Sequence, residues 1–146
     1  MTSESRSTRP RPDGVTDAEV TALGKVSEAL EWVERARGRL YDFHQLSGRA
    51  DLLLGDAADL LEQAGRPALA AELRREVVGR NVIAGRWTFQ VVEEYDDGYW
   101  TTVREFDRRC RDHISDGVKH LFEAEMKDDR RTNGMPHHEA SPDDTA

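Results

Sequence analysis

The sequence contains a single cysteine, Cys110, among its 146 residues. One cysteine cannot form an intramolecular disulfide, and it cannot supply a cysteine-based zinc site. No run of eighteen consecutive apolar residues is present, which argues against a membrane-spanning helix. The N-terminus also lacks the apolar stretch of a signal peptide. These absences predict a cytoplasmic protein that does not act on a membrane.

Positive charge is scarce as well. There are 21 Lys and Arg residues against 29 Asp and Glu residues, a formal net charge of -8, and the only lysines are Lys25, Lys119 and Lys127. An acidic chain repels phosphate backbones, and duplex binding needs a clustered basic face, so nucleic acid is not a predicted partner. The preference for arginine, with frequent alanine and glycine, is typical of a GC-rich bacterial genome.

Apolar residues are concentrated in the middle of the chain. The first fourteen residues contain none after the initial Met, and the last twenty contain only Met135 and two alanines. Such segments cannot bury enough surface to offset the entropy of ordering, so both are predicted to be disordered tails. The predicted organisation is therefore a tail at 1–14, a helical domain at 15–126 and a tail at 127–146.

Helical periodicity dominates the first half of the domain. A capping box at Thr16–Glu19 begins a first predicted helix over residues 17–37, and Gly38 is its predicted end. A second helix is predicted over residues 40–64, and a short third one over 67–79. One face of the second predicted helix contains eight apolar residues, Phe43, Leu46, Ala50, Leu53, Leu54, Ala57, Leu60 and Leu61.

The segment 87–106 has two interpretations. It is rich in β-branched and aromatic residues around Asp97-Gly98, which is typical of a hairpin. Apolar residues also recur at steps of three and four across that turn, at Val91, Tyr95, Tyr99, Val103, Phe106, Cys110, Ile114, Val118 and Leu121. Because a hairpin would not keep that period, the pattern favours a helix, broken near residues 115–117 and followed by a last helix through Met126. The predicted fold is an all-α bundle of four to five helices.

Two segments, GRWTFQVVEEYDDGYW and EAEMKDDRR, resemble a family of small helical proteins from GC-rich, actinobacterial-type genomes. The similarity spans residues 28–139 and includes RGRLYDFHQLSGRADLLLG. No activity is known for that family, so the resemblance assigns no functional residues. It implies that the second and fourth helices carry whatever function the protein has.

A polar line on the second predicted helix contains His44, Asp51 and Gly55, with Gly48 nearby. Two glycines inside a helix each cost about 1 kcal/mol relative to alanine, so they suggest close approach of another helix or of a ligand. His44 is a candidate catalytic base, and Asp51 is a candidate ligand-binding residue. The competing interpretation is tight helix packing beside a hydrogen-bonded histidine.

An acidic run follows in the fourth predicted helix, at Glu93, Glu94, Asp96 and Asp97. Glu93, Glu94 and Asp97, together with His44, are the candidate ligands of a divalent metal ion, the only cofactor that the sequence suggests. A solvated acidic face is the alternative. Asp96 and Asp107 are predicted near the apolar stripe, where each needs a partner, and Arg49, Arg74, Arg80 and Arg104 are the candidates.

Two Gly-Arg pairs bracket the loop before Trp87. Glycine N–H groups, a helix N-terminus and arginine side chains suit a phosphate or carboxylate, and an indole ring can stack on a base. Arg80, Arg86 and Trp87 are therefore candidate binding residues for an anion or nucleotide, although no Walker or dinucleotide motif is present. Ion pairs between these arginines and neighbouring carboxylates are the alternative. A further candidate cation site consists of His113, Asp116, His120 and Glu123.

Three functional hypotheses follow. The first is a non-enzymatic interaction or regulatory module that binds a protein partner or associates with itself, because the apolar stripe of residues 91–121 exceeds what a small domain can cover. The second is a small metal-dependent hydrolase that uses His44 as its base. The third is an anion-binding or nucleotide-binding protein.

Overall fold

The computed structural model of the protein describes residues 10–140, and the regular elements in that range are helices. They are α1 (Asp17–Gln63), α2 (Pro67–Glu76), α3 (Thr88–Tyr95), one turn of π-helix (Asp96–Trp100), α4 (Thr101–Ser115) and α5 (Leu121–Arg130). In the described range, extended pairing is limited to one isolated bridge between Ile83 and Arg86. The all-α prediction is confirmed, and the hairpin alternative for residues 87–106 is wrong.

Helix α1 is continuous where two helices were predicted. Its start is the predicted capping box: the Thr16 N–H donates to Glu19 Oε2 at 2.8 Å, and the Glu19 N–H donates to Thr16 Oγ1 at 3.2 Å. Gly38 does not end the helix, because an internal glycine costs only about 1 kcal/mol and the ladder of hydrogen bonds continues through it. Gly65, with φ +78°, lies in the left-handed turn that follows α1.

The segment from α3 through α4 is one helical run with a π-helical turn inside it. Counting this run as one helix gives four helices, and counting α3 and α4 separately gives five, as predicted. The run ends at Ser115 as expected, because Asp116 and Gly117 take left-handed backbone with φ of 52° and 78°. The last helix begins only at Leu121, later than predicted, because His120 is also left-handed with φ 57°.

The described residues form two compact units, the first comprising residues 10–32 and 102–140, and the second Val33–Thr101. Helix α5 of the first unit extends to Arg130, beyond the expected domain end at residue 126. The disorder predicted for residues 1–9 and 141–146 concerns positions outside the described range. No helix within residues 10–140 combines the length and the apolar character needed to cross a membrane.

In the first unit, the buried apolar side chains are Val20, Leu23 and Leu121. Gly24 permits close packing here, because a Cβ atom at this position would lie 2.8 Å from Phe122 Cγ. The fully buried Ser115 hydroxyl lies 2.9 Å from the carbonyl oxygen of Val118. Small and polar residues therefore make up much of this interior.

In the second unit, the buried apolar side chains are Ala58, Ala70 and Val92. Arg74 joins α2 to α1, with Nη2 2.7 Å from Asp59 Oδ1 and Nη1 2.9 Å from Glu62 Oε2. A core of small side chains buries little apolar surface, and eight large apolar residues of this unit remain at least half exposed.

Candidate interaction surface

A row of exposed apolar side chains recurs at regular spacing along the second half of α1. Phe43 is 40% exposed, Leu46 69%, Leu53 50% and Leu60 63%. With the intervening alanines they form a strip that we call the α1 seam, consisting of Phe43, Leu46, Ala50, Leu53, Ala57 and Leu60. Its spacing of three, four, three, four and three residues is the heptad pattern by which helices pair with other helices.

A different strip of α1 faces the rest of the second unit. Ala58 is fully buried, and Leu54 and Leu61 are partly buried. The eight apolar residues predicted to share one face of this region differ in burial: five are exposed, and Leu54, Ala57 and Leu61 are partly buried. Periodicity alone does not show which of two neighbouring apolar strips turns inward.

Charged residues of alternating sign flank the α1 seam on one side. Asp42, Arg49 and Asp56 follow one another at intervals of seven residues, and all three are exposed. Asp42 pairs with Arg39 at 3.4 Å. Arg49 and Asp56 make no ion pair with any residue of the described range 10–140. Both charges are therefore available to a molecule that binds along the seam.

The two polar candidates on α1 are engaged by other parts of the second unit. His44 Nδ1 lies 2.6 Å from Thr88 Oγ1, at the start of α3. The N–H of Gly79 donates to Asp51 Oδ1 at 2.7 Å. The candidate base His44 therefore lies beside a hydroxyl group. The candidate ligand-binding carboxylate of Asp51 accepts a hydrogen bond that holds the turn after α2.

The close approach expected at the two helical glycines is absent. A Cβ atom at Gly48 or Gly55 would meet nothing within 4 Å. Neither glycine is required by a neighbouring helix in the described part of the chain, so the prediction of a tight contact there is wrong.

The candidate anion loop is held by contacts within the chain. Arg86 Nε lies 2.8 Å from Glu94 Oε1, and Arg80 Nη1 donates to the Glu76 carbonyl oxygen at 3.4 Å. The Trp87 ring packs edge-on against Phe89 at 5.2 Å between centroids, and Trp87 is 57% exposed. The alternative interpretation, ion pairs with neighbouring carboxylates, describes the contact of Arg86 but not that of Arg80.

The candidate metal ligands do not form a cluster. Glu93 and Asp97 are exposed, Glu94 is bound by Arg86, and His44 contacts Thr88. Across residues 10–140, no three His, Cys, Asp or Glu side chains lie close enough together to hold a metal ion, and this includes His113, Asp116, His120 and Glu123. In that last set, His120 Nδ1 and Glu123 Oε2 lie 4.0 Å apart.

A cluster around Arg37 in the second unit escaped the sequence analysis. Arg37 binds both oxygens of Asp96, with Nε to Oδ1 at 2.7 Å and Nη2 to Oδ2 at 3.1 Å. Its guanidinium carbon also lies 3.8 Å from the centroid of the Trp100 ring. The Tyr41 hydroxyl donates to Asp96 Oδ2 at 3.3 Å, and Trp100 Nε1 donates to Glu34 Oε1 at 2.8 Å. The cluster therefore attaches the π-helical turn to α1.

Three ionisations are shifted in and beside this cluster. The hydrogen bonds with Asp96 raise the pKa of Arg37. The hydrogen bonds from Arg37 hold the pKa of Asp96 below its usual range. Burial raises the pKa of the Tyr95 phenol, and neighbouring Tyr99 adds to this shift. The predicted arginine partner of Asp96 is thus present, but it is none of the four arginines that the sequence analysis suggested. The sequence contained one indication of this cluster, the one-turn spacing of Arg37 and Tyr41. Because the first helix was wrongly predicted to end at residue 37, the two residues were not expected to lie on the same helix.

The buried carboxylate of the first unit also has partners other than those suggested. Asp107 is 5% exposed, accepts a hydrogen bond from the Ser27 hydroxyl at 3.0 Å, and lies 3.3 Å from Arg111 Nε. Cys110 is a free thiol of intermediate exposure.

The first unit also contains an open cleft of about 320 Å³. Val20, Phe122 and Met126 supply its apolar side chains, and Arg11, which binds Glu125 at 2.9 and 3.0 Å, lies at its polar edge. Arg11 also binds Asp17 at 2.7 Å, so three polar groups of the cleft are bound to each other.

The apolar stripe of residues 91–121, expected to provide the surplus surface, is mostly covered. Tyr99 and Phe106 are 59% and 51% exposed, Leu121 is buried, and the other members are partly buried. The large exposed apolar strip with regular spacing lies on α1 instead.

Comparison with known proteins found no match: the chain fits no family model, and neither a curated protein nor a solved structure is similar to it. Its class is therefore described by its fold and surface, as an all-α protein with an exposed heptad seam.

Proposed function

We propose that the protein is a non-enzymatic helical interaction module that associates with itself through the α1 seam. The observation that carries the proposal is a row of four large apolar side chains, 40% to 69% exposed, at heptad spacing on a helix whose neighbouring strip is packed. Monomeric soluble proteins rarely expose a contiguous apolar strip of this kind, and such strips mark interaction sites.

The charge of the chain supports a protein partner. A formal net charge of -8 disfavours phosphate backbones and anionic membrane surfaces. We propose a cytoplasmic location, because the sequence contains no run of eighteen consecutive apolar residues. The resemblance to small helical proteins of GC-rich genomes likewise stays a proposal.

The enzymatic and anion-binding alternatives have weaker support. A metal-dependent hydrolase needs His44 beside several carboxylates, whereas its Nδ1 is 2.6 Å from a threonine hydroxyl. An anion site at the loop needs free arginine side chains, whereas Arg86 is bound by Glu94. We therefore do not propose a second function.

Thermal unfolding at different protein concentrations tests the proposal. Association stabilises the folded state by mass action, so the Tm of the wild-type protein is expected to rise over a hundredfold range of concentration. Leu60→Ser, on the seam, is expected to abolish the rise, whereas Leu69→Ser, at a half-exposed position on α2, should retain it. A wild-type Tm that does not change with concentration would remove the basis of the proposal.

A further inference from the structure

The α1 seam has a regular alternation of residue size. In heptad notation, Phe43, Ala50 and Ala57 occupy a positions, and Leu46, Leu53 and Leu60 occupy d positions. Small residues thus predominate at a and leucine occupies every d. A partner helix that offers leucine opposite alanine would fill this surface evenly.

We infer that the occupant of the α1 seam is the α1 helix of a second copy of this chain, bound antiparallel about a two-fold axis between Asp51 and Leu52. The inference rests on the proposed self-association and adds its geometry. In an antiparallel pair each a position faces a d position of the other helix. Leu46 then packs against the partner's Ala57, Leu53 against the partner's Ala50, and Leu60 against the partner's Phe43.

Side-chain volume favours this orientation over a parallel one. A parallel pair would place Ala50 opposite the partner's Ala50 and Ala57 opposite the partner's Ala57, which leaves two thin layers between bulky leucine layers. The antiparallel pair instead gives each inner layer one leucine and one alanine. Shape therefore selects the direction of the partner.

Charge selects the register. In the antiparallel pair described, the flanking Arg49 lies beside the partner's Asp56, and the two-fold axis repeats the contact. A shift by one heptad in either direction would bring Arg49 to the partner's Arg49 or Asp56 to the partner's Asp56, which is repulsive. In a parallel pair Arg49 would face the partner's Leu54. Both charges are exposed and without an ion pair within residues 10–140, as this role requires.

Disulfide trapping tests the orientation. In a Cys110→Ser background, we would prepare Leu46→Cys and Ala57→Cys as separate proteins, one carrying a tag, and oxidise each alone and as a mixture. The antiparallel pair predicts a cross-link between the two variants in the mixture and little cross-linking of either alone. Efficient self-cross-linking of Leu46→Cys would overturn the inference in favour of a parallel pair. A mixture that is dimeric but forms no cross-link would also overturn the inference.

Charge reversal in trans tests the register. Arg49→Asp and Asp56→Arg are each expected to raise the dimer dissociation constant about tenfold, because each dimer loses two exposed ion pairs. Mixing the two variants restores both pairs and should return the affinity to that of the wild type. Gln45→Asp mixed with Gln45→Arg, an exposed position off the seam, controls for general charge attraction and should show no such gain.

The two proposals fail differently. A wild-type protein that stays monomeric refutes self-association, and the inference falls with it. A dimer in which the Arg49 and Asp56 variants fail to complement each other refutes the register alone and leaves the proposed function standing.

Discussion

Replacing Leu53 by glutamate, with Leu52 as its matched control, distinguishes the α1 seam from the rest of the helix. The two leucines are adjacent and are 50% and 64% exposed, but only Leu53 lies on the seam. In the isolated chain either substitution falls at an exposed helical position and should change the free energy of unfolding by no more than about 0.5 kcal/mol. In the dimer only Leu53 becomes buried.

The expected loss of dimer affinity follows from that burial. Completing the burial of a half-exposed leucine is worth about 1 kcal/mol, and each dimer contains two. A glutamate placed there must also give up hydration, at about 1 kcal/mol or more for each copy. The total of about 4 kcal/mol corresponds to a roughly thousandfold increase in the dissociation constant for Leu53→Glu.

Sedimentation equilibrium of both variants measures this difference directly. Leu53→Glu should sediment as a monomer at concentrations where Leu52→Glu and the wild type are dimeric, and circular dichroism should show the same helix content in all three. Equal dissociation constants for the two variants would refute the assignment of the interface to the α1 seam.

Three further predictions concern stability and metal binding. Gly24→Ala should lower the free energy of unfolding, measured in urea, by about 1–3 kcal/mol, because its Cβ would lie 2.8 Å from Phe122 Cγ. Gly38→Ala has open space around it and should raise the free energy of unfolding by up to about 1 kcal/mol. Equal effects of the two substitutions would contradict the packing described. Asp96 has a lowered pKa in the folded protein, so its ion pair with Arg37 contributes stability above the ordinary aspartate pKa, and this contribution is lost as the pH falls through the lowered value. The wild type should therefore lose stability more steeply than Asp96→Asn below about pH 4, and parallel pH profiles would show that the pair contributes nothing. EDTA should leave the Tm unchanged, and a fall in Tm that added divalent metal reverses would revive the hydrolase hypothesis.

The helical character of the protein could be predicted because the spacing of apolar residues along the sequence follows the period of an α-helix. Apolar steps of three and four across Asp97-Gly98 indicated a helix despite a local hairpin signal, and the capping box at Thr16–Glu19 gave the start of α1 correctly. The boundary at Gly38 failed because glycine permits a helix end without requiring one. Only Gly65, which takes a positive φ, ends the helix.

The π-helical turn left a trace that could have been recognised. From Val91 to Val103 the apolar residues recur at three consecutive steps of four, longer than the 3.6 residues of an α-helical turn. A π-helical turn absorbs that excess, and Asp96–Trp100 is where it occurs.

Candidate polar sites were harder to predict than helices, because which side chains meet depends on tertiary contacts. The sequence identified His44, Asp51 and Arg86 as unusual, but it could not show that Thr88, Gly79 and Glu94 bind them. It also placed the surplus apolar surface on residues 91–121, whereas the exposed strip lies on α1. Both errors arise because a one-dimensional pattern does not specify which face of a helix is covered.

The central claim is that the α1 seam joins two copies of the chain, and the molar mass in solution tests it most directly. Light scattering of the eluting protein at high concentration should give twice the chain mass of 16.6 kDa, falling toward one chain mass on dilution. A mass of one chain at every concentration, with the helices intact, would contradict the account.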